Sequence, residues 1–153
     1  MELPYLPEGR EILYVPEDNE FLQQAKAMAE AFSPTEKQQT GAVVVRGGTI
    51  LGQGCNHSDY HEKFGCERIK NHAPTGQGYE TCLGCDPKFH AEQQAIKHAK
   101  NRLQGFARDD DLTGADLYLW GHWWCCKSCW DAMIEAGIKT VYLMEGAEEI
   151  FRL

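Results

Sequence analysis

The segment Phe89-His90-Ala91-Glu92-Gln93-Gln94 places an imidazole and a carboxylate two residues apart, at the head of a stretch that then turns apolar with helical rhythm. Further on, Cys126-Lys127-Ser128-Cys129 holds two thiols at the start of a second helical pattern. One turn there brings both sulfurs to the same end, where the helix dipole favours thiolate over thiol. One histidine and two cysteines make up the ligand set of a catalytic zinc, which takes three protein ligands and keeps a fourth position for water. His90, Cys126 and Cys129 are therefore the expected ligands. Glu92 is the expected catalytic residue, a proton shuttle beside the open position; its plainer role would be a favourable charge near the positive end of a helix.

The remaining cysteines point the same way. The chain has seven, an odd number, and no basic start followed by an apolar run, so a secreted disulfide framework is not expected. Cys66, Cys82 and Cys85 form a second cluster, with Cys55 standing apart. With a histidine they would close a tetrahedral structural zinc site; His57, His61 and His72 all qualify by type. Two zinc ions per chain are expected, one catalytic and one structural. The net charge of −8 argues against a protein that grips nucleic acid by displacing counterions. A small soluble substrate and a cytoplasmic location fit better, and no run of apolar residues is long enough for a membrane helix.

The elements that must position these groups alternate between helix and strand. Prolines 4, 7 and 16 make residues 1–17 an extended N-terminal arm with room for a short strand, leaving residues 18–153 as a single catalytic domain. "EDNEFLQQAKAMAEAF" reads as an amphipathic helix, and "GAVVVRGGTILGQG" as a hairpin turning at Gly47-Gly48. Residues 55–88 are a long irregular loop, of a length that needs an organising element such as a metal. After them come the helix beginning near Phe89, a strand "ADLYLW", a helix over "CKSCWDAMIEAG" and a strand "KTVYLM". Strand, helix, strand in that order makes the last two strands parallel neighbours joined by a right-handed crossover. The fold class is α/β, with a mixed sheet and helices on its faces.

An H-x-E followed by a C-x-x-C is the pattern of zinc-dependent nucleobase deaminases. "HAE" at 90–92, "CKSC" at 126–129, "TGAVVV" and "GIKTVYL" together resemble the cytidine and deoxycytidylate deaminase superfamily over roughly residues 18–145. Within it the chain is most similar to dCMP deaminases. The resemblance implies a three-layer fold around a five-stranded mixed sheet, and hydrolytic deamination of a cytosine nucleotide, dCMP foremost, with Glu92 moving protons to ring N3 and the departing amine. It implies Asn56, in Gly54-Cys55-Asn56, and Ala91 as substrate-binding residues, and His61 as the fourth ligand beside Cys66, Cys82 and Cys85. A homo-oligomer is also implied. Cys125 stands where the family usually has proline and could compete as a ligand, although Cys126 and Cys129 fit the turn spacing. The arginine that many dCMP deaminases carry shortly before HAE is missing; Arg68, Lys63 and Lys88 could replace it. Trp123 and Trp124 could exclude solvent around Glu92, and His122 reads as a loop or core histidine. Two other readings stay open: a deaminase of tRNA or single-stranded nucleic acid, and a non-enzymatic zinc module.

Overall fold

The computed structural model describes residues 3–33, 38–57, 66–73, 77, 79, 83–103 and 112–152. Five strands form one sheet: β1 (Glu11–Val15), β2 (Gly41–Arg46), β3 (Thr49–Cys55), β4 (Asp116–Trp120) and β5 (Thr140–Met144), in the order β1-β5-β4-β2-β3. β5 runs parallel to β1 and β4, whereas β2 runs antiparallel to β3 and β4. The sheet is mixed, and β4 and β5 are the parallel neighbours that their connecting helix requires. The hairpin turn is made by Gly47 and Gly48, both at positive φ, which glycine adopts without steric cost.

Helices cover both faces. α1 (Glu20–Phe32) is capped by Asn19, whose side-chain oxygen accepts from the N–H groups of Phe21 and Leu22 at 3.0 and 3.1 Å. Its Ala25 packs against Val43 and Val45 of β2. Alternate residues of a strand point to opposite faces, so Ala42 and Val44 enter the other layer. There they join Ala91, Ala95, Ile96 and Ala99 of α3 (Ala91–Leu103) and Trp130 and Met133 of α4 (Lys127–Ala136). A four-residue helix, α2 (Glu67–Lys70), lies between β3 and α3, and α5 (Ala147–Phe151) follows β5.

α3 lies directly on β3 because the residues facing it there are glycines. A Cβ on Gly52 would stand 2.5 Å from the Ala99 amide nitrogen, and one on Gly54 2.6 Å from that of Ala95. Gly52→Ala is accordingly expected to push α3 away and lower stability by about 1–3 kcal/mol, measured as a shift of the denaturant midpoint at unchanged m-value.

Two features go beyond the sequence reading. Residues 11–15, within the N-terminal arm, are its short strand, and it forms the edge of the sheet, pairing in parallel with β5 from Glu11↔Thr140 to Val15↔Met144. The loop 55–88 contains α2 and two turns of 3-10 helix, Leu83–Cys85 and Pro87–Phe89. His61, Lys63 and Cys82 lie outside the described residues. Among the described residues, no helix is long and apolar enough to cross a membrane.

Candidate active site

His90 and Cys126 occupy equivalent places on two helices. Each has extended backbone, with φ/ψ of −67°/152° for His90 and −74°/165° for Cys126, and each gives its carbonyl to the first helical hydrogen bond. The Gln94 N–H donates to the His90 carbonyl, and the Trp130 N–H to that of Cys126, both at 3.0 Å. These are helix-capping positions, where the chain turns from extended to helical and its side chain projects over the first turn. Cys129 stands one turn into α4.

The layer formed by α3 and α4 brings the three together. His90 Nδ1 lies 3.7 Å from Cys126 Sγ and 3.6 Å from Cys129 Sγ, and the three ligand atoms fall within 4.8 Å of one another. The Cys126 thiol is lowered to about 4 by its hydrogen bond with Cys129 and, after that, by His90. A partly buried thiolate with an imidazole and a second thiol around it is a donor set that suits zinc. Gln93 closes the set from outside, donating from Nε2 to Ser128 Oγ at 3.1 Å and to Cys129 Sγ at 3.7 Å.

Glu92 is 5% exposed, and burial raises the pKa of its carboxyl. It shares the wall of a cavity of about 240 Å³ with His90, Ala91, Cys126, Asn56 and Trp124. Asn56, Ala91 and Glu92 thus share one cavity wall, which Lys88 and Trp123 do not line. Cys125, 1% exposed, is not part of the ligand group among the described residues. Its thiol is raised well above the ordinary value, first by burial and then by the neighbouring Glu92 charge, so it contributes a neutral wall beside the carboxylate.

Asn56 has most of its hydrogen-bonding capacity engaged. Its Oδ1 accepts from the Thr40 N–H at 2.9 Å and from the Ser33 hydroxyl, and its Nδ2 donates to the Gln38 carbonyl at 2.9 Å. It braces residues 38–40, of which Gln38 and Thr40 line the cavity.

Tyr79 and His122 line the cavity without having been assigned to the site from sequence, and Arg68, one of three candidate replacements for the missing arginine, lines it as well. Tyr79 stands edge-on to His90 at a centroid distance of 5.1 Å, and its hydroxyl pKa is raised by burial. The Arg68 guanidinium covers the Tyr79 ring at 4.5 Å while donating to the Gln77 carbonyl at 2.8 Å. His122 lines the cavity beside Trp124. Behind Tyr79, Cys66 and Cys85 are buried with their sulfurs 3.4 Å apart and no disulfide between them.

This geometry agrees with the comparisons. Residues 15–145 match the cytidine and deoxycytidylate deaminase zinc-binding region, and the chain belongs to that family. Among solved structures, guanine deaminase from Bacillus subtilis is similar over 86% of this chain and 68% of its own, at 24% identity and a TM-score of 0.50. The apo dCMP deaminase from the cyanophage S-TIM5 aligns over 86% of both chains at 19% identity and a TM-score of 0.48. A tRNA:A34 deaminase structure aligns over 80% of this chain and 72% of its own, at 20% identity and a TM-score of 0.49. At such identities the Bacillus enzyme shows a shared fold and no more. A search of curated proteins returns no significant match. The chain is a zinc-binding deaminase of the α/β cytidine deaminase fold.

Proposed function

We propose that the chain is a hydrolytic deaminase of a cytosine nucleotide, dCMP foremost. The observation that carries this reading is the buried Glu92 in the same cavity wall as the converging His90, Cys126 and Cys129. A structural zinc site has no use for a buried carboxylate beside it. His90, Cys126 and Cys129 would hold the zinc, which when bound supplies the Lewis acidity that makes water nucleophilic near neutral pH.

The chain's own residues do the rest. Glu92 takes the proton of the attacking water and delivers protons to ring N3 and the leaving amine, a task suited to a carboxyl whose pKa burial has raised. Trp124 and Cys125, at 3% and 1% exposure, keep bulk water from that carboxyl. Asn56 and Ala91, which line the same cavity, meet the substrate.

Arg68 is the cation that lines the cavity among the described residues, and it takes the place of the missing arginine before HAE. Arg68→Ala is expected to raise KM for dCMP by about tenfold or more, the value of a charge-assisted hydrogen bond, and to leave deoxycytidine nearly unaffected. An equal change for both substrates would assign Arg68 to holding Tyr79 and Gln77 instead.

The reading includes a second zinc on His61, Cys66, Cys82 and Cys85, supported by the proximity of the Cys66 and Cys85 sulfurs. It also includes a homo-oligomeric, cytoplasmic enzyme. The net charge of −8 favours a mononucleotide over a polynucleotide. The test is ammonia release from dCMP, deoxycytidine, cytidine, cytosine, guanine and short oligonucleotides. Turnover highest with dCMP is expected; turnover confined to guanine or to oligonucleotides would overturn the assignment.

A further inference from the structure

Two glutamines follow Glu92, and their side chains turn to different partners. Gln94 donates from Nε2 to the Lys88 carbonyl at 2.6 Å and ties α3 to the turn before it. Gln93 crosses to α4 instead, where its Nε2 donates to Ser128 Oγ at 3.1 Å and to Cys129 Sγ at 3.7 Å. A carboxamide nitrogen carries two N–H groups, so each contact takes one. Cys129 is fully buried, and its sulfur also lies 3.6 Å from His90 Nδ1. Gln93 thus touches one member of the ligand set from the helix that carries another. It does not line the cavity that holds Glu92, so its contacts bear on the ligands rather than on a molecule bound in the cavity.

A metal-bound thiolate keeps lone pairs that accept hydrogen bonds and has no proton to donate. An amide N–H meets that need and adds no charge to the site, as a lysine or a glutamate in the same place would. Hydrogen bonds made to ligands from outside the coordination shell fix their orientation, and losing one commonly costs about 10- to 100-fold in metal affinity. We propose that Gln93 is a positioning residue of the metal centre: anchored on the Ser128 hydroxyl, its carboxamide donates to the Cys129 sulfur and holds that thiolate ready for zinc. This rests on the reading of His90, Cys126 and Cys129 as the zinc ligands.

The experiment uses the full chain without substrate and reads the metal directly. Zinc affinity is measured by competition with a chromogenic chelator for the parent, Gln93→Met, Ser128→Ala and the double variant. Methionine keeps the length of glutamine and has no N–H. Gln93→Met is expected to bind the ion of this site about 10- to 100-fold more weakly. Ser128→Ala, which removes only the anchor, should cost about threefold, as for one neutral hydrogen bond. Because Ser128 acts through Gln93, the double variant should lose no more than Gln93→Met does. A parent-like affinity in Gln93→Met overturns the proposal, and a double variant whose loss is the product of the two single losses overturns the anchored arrangement.

Two further readouts separate positioning from folding. The thermal midpoint of the metal-free Gln93→Met chain should stay within about 3 °C of the parent's, the worth of a neutral hydrogen bond in a chain of this size. A fall in that midpoint as large as the fall in the zinc-loaded one would make the lost affinity a consequence of a damaged fold and overturn the proposal. In the cadmium-loaded chain, the ¹¹³Cd signal that Cys126→Ser abolishes belongs to this site. That signal is expected to move in Gln93→Met while any other cadmium signal stays in place; an unmoved signal overturns the proposal. Should Cys126→Ser keep every ion the parent binds, the ligand reading falls and the role of Gln93 with it. The identity of the deaminated base enters none of these measurements, so they uphold or overturn the role of Gln93 whichever substrate is turned over.

Discussion

Glu92→Gln is expected to lower the deamination rate by about 10²–10⁴-fold, the usual contribution of a positioned acid–base group, while leaving the zinc content intact. Glutamine matches glutamate in size and keeps a carbonyl oxygen, but it can neither take a proton from water nor deliver one to the ring. Metal analysis beside the rate assay makes the result specific. Loss of zinc together with activity would place Glu92 among the supports of the metal, and an unchanged rate would remove it from the reaction. A second consequence follows from burial, which raises the carboxyl's pKa above its unfolded value. Such a group destabilises the fold increasingly as pH rises through the unfolded pKa, until the penalty is complete above the folded one. The substitution removes that penalty. In the metal-free protein, Glu92→Gln should therefore be more stable than the parent at pH 7, and the gap should close as the pH falls below about 4. Equal thermal midpoints at both pH values would show that Glu92 carries no such cost. Stability given up for a buried working carboxylate is the usual exchange at an active site.

What the sequence revealed about this site depended on chemistry that local spacing can encode. His90 and Cys126 are recognisable because each sits where an extended segment turns into a helix. Cys129 is fixed by the single turn that separates it from Cys126. Glu92 follows from its position on the first turn of α3. The hairpin glycines and the β4-α4-β5 unit are similarly local, and the structure has them where the patterns put them. β1 is different: its five residues pair with β5 across 129 positions of sequence, from Glu11 to Thr140. Nothing within residues 1–17 specifies that partner, so the stretch reads as an arm with room for a short strand but without a place in the sheet. The capping role of Asn19 is local, yet the acidic residues around it give the same helix start and mask it.

The cavity wall was least legible, since its members come from four separated segments. Asn56 is a correct member for which the sequence gives no sign of its bonds to Ser33, Gln38 and Thr40. A lone histidine such as His122 resembles any loop histidine until two backbone N–H groups are seen to converge on its Nδ1. Tyr79 and Arg68 stand in the stretch with least periodicity, and only the fold sets Tyr79 against His90 and Arg68 over Tyr79. Of the cysteines at 125, 126 and 129, Cys126 and Cys129 alone have the C-x-x-C spacing, and the structure likewise leaves Cys125 out of the ligand group among the described residues.

The two cysteine clusters should answer differently to substitution. Replacing Cys82 and Cys85 together by serine is expected to lower the zinc content from two ions per chain to one. Cys85 is buried and its sulfur lies 3.4 Å from that of Cys66, so the substitution takes donors from a set that can close around an ion. Binding free energy at a structural zinc site is folding free energy. Its loss should lower Tm by about 10 °C or more, given several kcal/mol and about 2–4 °C per kcal/mol in a chain of this size. Activity should fall as well, through Tyr79, which packs on the Cys66–Cys85 pair and against the ring of His90. Cys126→Ser should instead remove the catalytic ion, abolish turnover and leave the other ion in place. Zinc analysis and thermal unfolding of the parent and both variants decide the matter. One zinc per parent chain, unaffected by the Cys82/Cys85 change, would make the middle cluster ordinary packing of reduced thiols. Loss of both ions in the double variant would mean that the two sites fold as one unit, with Tyr79 as the contact that couples them.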